Sequence, residues 1–187
     1  LGQNSTILMP ALTSPNAKHL LARTLFGFSK EQFQQAMGYG SLEDLVDRAL
    51  LADAALPAPP NAWVNTVPAQ SQQDSGDAGT WYRELTYWWY NRMFSEGLNF
   101  REKMVLFWHN HFSCERDKVN YPQYMYQQNQ LFRKFAFGNF KQMVKEVSID
   151  PTMLIYLDGN NSRGTGPNEN YAREVMELFT LGIGNYT

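Results

Sequence analysis

The chain has 187 residues, a formal charge of −2 and a single cysteine. That length suits one domain with a real core, while the near-neutral balance supplies no basic field for nucleic acid and Cys114 alone can close no internal disulfide. No apolar run approaches the ~20 residues that cross a bilayer, and the opening LGQNSTILMPALTSP lacks the basic start and apolar stretch of a signal peptide, so a soluble chain without a transmembrane segment is expected.

In chain order the signals are helical. SPNAKHLLARTLFG offers Ser14 as cap and Pro15 in the first turn, with Ala17, Leu20, Leu21, Thr24 and Leu25 on one face and Gly27 as the stop. Ser29 and Gln32 form a capping-box pattern ahead of a short helix ending near Gly38. Ser41 then caps SLEDLVDRALL, whose stripe is Leu42, Leu45, Val46, Ala49 and Leu50. From 52 to 80 the composition turns to Pro, Ala, Gly, Ser and Gln, which predicts a long loop or linker.

Helical signal returns at WYRELTYWWYNRMFSEG, with Trp81, Leu85, Trp88, Trp89 and Phe94 as its apolar positions and Gly97 as its end. Asn99 caps FREKMVLFWHNHF, and SCERDKVN reads as a turn. Pro122 opens a helix through Tyr124, Met125, Gln128, Leu131, Phe132 and Phe135. Asn139 caps FKQMVKEVSI, Asp150 with Pro151 starts PTMLIYL, and the loop DGNNSRGTGPN leads to PNENYAREVMELFTLG. There Asn168 or Asn170 is the expected cap and Gly182 the left-handed stop. Nothing alternates with period two. The expectation is therefore an all-α, multi-helix domain over 1–187 with an aromatic-rich core and one long Pro/Ala-rich loop over 52–80.

REKMVLFWHNHF, the helix from Gln127 to Gly138, DPTMLIYLDGNNS and PNENYAREVMELFTLGIGNYT occur in an order that resembles the bacterial family known as domain of unknown function 1800. The N-terminal HLLARTLFGFS and YGSLEDLVDRAL fit its opening segment. The resemblance implies a bacterial, exported protein, periplasmic or extracellular, of a family whose members are longer than this chain. It implies no reaction.

Chemistry-bearing residues cluster in two places. In WHNHF, His109 and His111 point ~200° apart on a helix and cannot share one ion there. His111, on the apolar face, is expected to be a core histidine bonded to a carbonyl or carboxylate; His109 lies nearer the polar face and is the better ligand or acid–base candidate. On the last helix Asn170, Glu174 and Glu177 form one strip, where paired carboxylates can hold a cation or tune each other's acidity. The competing reading is an ion-pair ladder in which Arg173 neutralises Glu169 and Glu177. Asp158, Asn160 and Asn161 offer oxygen ligands, although their spacing does not fit an EF-hand.

Two functions follow as expectations. One is a hydrolase with His109, Glu174 and Glu177 as catalytic residues, or with His109, Asp158, Glu174 and Glu177 around a divalent metal. The other is a non-catalytic helical module that binds a partner protein or a surface glycan, with Trp88, Trp89 and Tyr90 as core or as a carbohydrate platform.

Overall fold

A computed structural model describes residues 10–186, and among them the regular elements are all helical, with no strand. Residues 1–9 of the segment weighed above as a leader lie outside the described residues. The packing groups the chain into two compact units.

The first unit joins the described part of Leu1–Ala55 to Asn91–Lys103. Helix α1, Ser14–Thr24, starts at the residue expected as its cap, because Thr13 takes that role and its hydroxyl accepts from the Asn16 N–H at 3.4 Å. Helix α2, Lys30–Met37, carries the anticipated capping box: Ser29 Oγ accepts from Gln32 N at 3.2 Å, and Gln32 Oε1 accepts from Ser29 N at 2.8 Å. Helix α3, Leu42–Leu45, is capped by Ser41 and runs into a π turn, Val46–Leu50, in which the Leu51 N–H reaches Val46 O at 2.8 Å. That five-residue step replaces the uniform α-helix expected there. Leu21, Leu25, Ala36, Leu45, Leu50 and Leu98 form the core; burying a leucine contributes about 1.5–3 kcal/mol. Asn99 holds the second segment in place, accepting from Arg101 N at 2.9 Å and donating to Ala52 O at 3.0 Å. Arg101 adds an ion pair to Asp53 at 2.8 Å.

The second unit joins Leu56–Tyr90 to Met104–Thr187. The stretch 52–80 is not one loop. It contains a 3₁₀ turn, Ala62–Asn65, a short helix α4, Gln70–Asp74, and the start of α5, Asp77–Ser95. Asn61 caps the turn, Trp63 stacks on Trp81 with centroids 5.6 Å apart, and Trp63 Nε1 donates to Glu84 at 2.7 Å. No residue of α4 is buried, so QSQQD has no apolar stripe by which a sequence pattern could reveal it.

The remaining helices are α6, Arg101–His111; α7, Arg116–Val119; α8, Pro122–Lys134; α9, Phe140–Ser148; α10, Pro151–Tyr156; and α11, Asn170–Glu174. The single turn of α7 stands where a loop was expected and is closed by Asn120 at φ 55°. Asn139 and Asp150 cap α9 and α10 as anticipated, accepting from Gln142 N at 3.0 Å and Met153 N at 3.1 Å. Helix α11 passes into a second π turn, Val175–Thr180, and Gly182 at φ +83° ends it. The core of this unit is Val105, Phe112, Phe132, Met143, Val147 and Met153, with the Phe112 and Phe132 rings stacked at 5.8 Å. The all-α fold with an aromatic cluster is thus the observed one.

Candidate functional site

The second unit places each anticipated residue in a definite setting. His109, on α6, is half-buried between Trp89 and Phe132, with centroid distances of 4.7 and 4.8 Å. Its Nε2 lies 3.1 Å from Asn129 Nδ2. An amide nitrogen only donates, so Nε2 accepts and the ring proton sits on Nδ1. Desolvation first, and then the nearby Arg133 charge, push the imidazole down to about 3. The ring is neutral at ordinary pH and carries no imidazolium proton to give as a general acid.

Asn129 in turn accepts at Oδ1 from Arg133 Nη1 at 2.6 Å, and the Arg133 guanidinium lies 5.2 Å from the Trp88 centroid. Both Asn129 and Arg133 are buried. The sequence reading passed over this Arg133–Asn129–His109 chain. Its trace was Gln128 on the apolar stripe of α8, a sign that this helix buries amides along with phenylalanines.

Next to Asn129 in the chain, that Gln128 donates to Asp150 Oδ2 at 2.8 Å, and its amide also lies 3.5 Å from Cys114 Sγ. Burial pushes the Cys114 thiol up to about 12, so it is no nucleophile.

His111 behaves as expected of a core histidine: its Nε2 donates to Phe179 O at 2.9 Å. Since Phe179 belongs to the second π turn, this bond satisfies a carbonyl at the end of that helix and ties it to α6.

The other proposed ligands are engaged separately. Asp158, at φ 58°, pairs with Lys118 at 2.8 Å, while Asn160 and Asn161 are exposed beside it. Glu177 accepts from the Tyr186 hydroxyl. Glu174 is half-buried at the junction of α11 with the π turn, and no hydrogen bond or ion pair reaches its side chain among the described residues. The Arg173 ladder is not formed either: among the described residues no ion pair joins Arg173 to Glu169 or Glu177. Among those residues, no group of three or more His, Cys, Asp and Glu side chains is placed to hold a metal ion.

Asn170 has yet another role. Its Nδ2 donates to Leu157 O at 3.4 Å, and Asn168 Nδ2 donates to Asp158 O at 2.8 Å, so the terminal motif hangs from the end of α10. The family described as "Protein of unknown function (DUF1800)" matches residues 19–187, which takes in every residue of this constellation. The chain belongs to the DUF1800 family. No curated protein and no solved structure matches it. Within the DUF1800 region, no helix among the described residues is long and apolar enough to cross a membrane.

Proposed function

We propose that this DUF1800 chain is a non-catalytic helical module that binds a protein partner through the apolar surface around His111. The observation that carries this reading is the exposure of Phe107, Phe140, Leu178, Leu181 and Ile183, at 52, 40, 60, 53 and 77%. The Phe107 and Phe140 rings lie 6.3 and 6.2 Å from the His111 ring, and the His111 bond to Phe179 O anchors the π turn that also carries Leu178. Single exposed apolar side chains are ordinary on any surface; two exposed phenylalanines of α6 and α9 against one tethered histidine, together with the exposed Leu178, Leu181 and Ile183 of the C-terminal stretch that this histidine anchors, supply a surface suited to an apolar partner segment. A glycan would instead use Tyr87 and Tyr90, which are exposed on α5.

Photo-crosslinking tests the choice. A benzophenone side chain at Phe107 or Ile183 is expected to capture a protein, one at Tyr87 is not, and Phe107→Ser with Leu178→Ser is expected to abolish capture at Ile183 without lowering the melting temperature. Equal capture from Tyr87, or capture unaffected by the double substitution, would overturn the reading.

One observation favours a second reading, a hydrolase. Glu174 is a half-buried carboxylate without a bonding partner among the described residues, at a π turn of the kind that often marks functional sites. In that reading Glu174 and Glu177 do the acid–base work; a divalent metal shared with His109 and Asp158 would require those two to leave the partners they have here, Asn129 and Lys118. Calorimetric titration with zinc and magnesium, on the parent and on Glu174→Gln, decides it: identical traces sink the metal form. Export to the periplasm or beyond rests on the family resemblance, and cell fractionation checks it.

A further inference from the structure

Asp150 caps α10 from a position only 4% exposed. Its Oδ2 accepts from Met153 N at 3.1 Å and from Gln128 Nε2 at 2.8 Å, and no cation is paired with it among the described residues. The titratable groups that face it are the Cys114 thiol beside Gln128 and the Tyr171 phenol of α11, both uncharged near neutral pH. Tyr171 is anchored by its hydroxyl donating to Ser148 Oγ at 2.6 Å. A buried carboxylate in such company has hydrogen-bond donors but no opposite charge.

A second feature of this cluster points the same way. Gln128 is fully buried, and its Oε1 has no hydrogen-bond partner, although the Nε2 of the same amide is bonded to Asp150. A buried amide oxygen without a donor costs about 1–3 kcal/mol. The Asp150 carboxyl, already bonded to the Nε2 of this amide, becomes a donor for its Oε1 if it carries a proton: an acid and a primary amide can exchange two hydrogen bonds at once, acid O–H to amide oxygen and amide N–H to acid oxygen.

We propose that Asp150 and Gln128 form a pH-operated latch between α8 and α10, closed when the carboxyl is neutral and donates to Gln128 Oε1, and weakened when the carboxyl ionises and that bond is lost. The latch bears on the terminal motif, since the far end of α10 supplies the Leu157 and Asp158 carbonyls that hold Asn170 and Asn168. Desolvation supports this protonation chemistry by pushing the Asp150 carboxyl up to about 6, against the lowering effect of bonds from the Met153 N–H, Gln128 and Thr152. The latch is therefore closed in mild acid and loosened at neutral and higher pH.

Carbon-13 NMR of the aspartate carboxyls in the purified protein tests it directly. The expected result is one carboxyl, assigned to Asp150 by its loss in Asp150→Asn, with a midpoint at about 6. Amide hydrogen exchange, corrected for intrinsic rates, is expected to show protection of α10 and α11 falling as the pH rises through that midpoint. In Asp150→Asn, which keeps an N-cap oxygen, protection should be the same on both sides of it. An Asp150 carboxyl that titrates as an ordinary exposed aspartate overturns the proposal, as does a protection profile that follows pH equally in parent and variant. Should the variant fail to fold, the carboxyl midpoint and the parent's exchange profile still decide.

Discussion

The Asn129 amide and the His109 imidazole meet at 3.1 Å, with the amide as donor and the ring as acceptor, so a buried and a half-buried side chain fix each other's orientation. This pairing makes His109 a structural acceptor on the core side of α6. Replacing it by Ala leaves a buried N–H unpaired and opens space between Trp89 and Phe132. The expected loss is roughly 2–4 kcal/mol in urea unfolding.

The same histidine gives a pH signature of known sign. Its folded value of about 3 lies below the ordinary 6.5, so the fold favours the neutral ring. That stability is fully present above pH 6.5 and is lost as the pH falls toward 3. Asp150, raised from 3.8 to about 6, acts in the opposite sense: its contribution is present below 3.8 and is lost as the pH rises through 6. The two windows overlap, so each is read as the difference between parent and variant at each pH. The stability lost in His109→Ala should shrink steadily on acidification; a loss constant from pH 7 to 4 would contradict the placement of His109.

Gln123 links α8 to the 52–80 excursion by donating to Thr66 Oγ1 at 3.0 Å and Gln72 Oε1 at 2.9 Å. Gln123→Leu removes both bonds from a fully buried position. The expected cost is about 1–2 kcal/mol, with faster proteolytic cleavage between Val67 and Gly76 and no change in the cleavage of α9. Cleavage that stays at the parent rate would show that the remaining contacts, Trp63 with Trp81 and Glu84 and Trp88 with Ala58 O among them, hold the excursion without Gln123.

Gly182, at φ +83°, ends the terminal helix, and a Cβ there would meet Asn185 Nδ2 at 3.3 Å. Gly182→Ala is expected to cost about 1 kcal/mol, read as a lower melting temperature, with weakened amide protection confined to the residues after Met176. A variant as stable as the parent would mean that this stop contributes nothing to the fold.

The features legible in the sequence are those that local chemistry decides. Ser29 with Gln32, Ser41, Asn139 and Asp150 were readable because a cap and its N–H partners lie within three residues of one another. His111 was readable because its place on an apolar face left few uses for its ring. His109 was not: its acceptor role depends on Asn129, twenty residues on, and on Trp89, which only tertiary packing brings over it. Phe94 shows the opposite failure, assigned to an apolar stripe yet 81% exposed. The carboxylate strip was drawn at a uniform 100° per residue, an angle that no longer holds from Val175 onward because the chain there is a π turn.

That π turn has a consequence for chain length. A π turn is an α-helix that has taken in one extra residue, and the surplus is accommodated by lengthening the hydrogen-bond step, as the Leu181 N–H to Met176 O bond at 2.9 Å shows. Removing a single residue between Val175 and Thr180 lets an ordinary α-helix run through. Because the π turn has already absorbed the surplus residue, the chain downstream then keeps close to its present face relative to Glu174. Leu181, Gly182 and Tyr186 stay near their present positions. Proteins that differ in length by one residue within this turn should thus present the same C-terminal surface on the same helical frame.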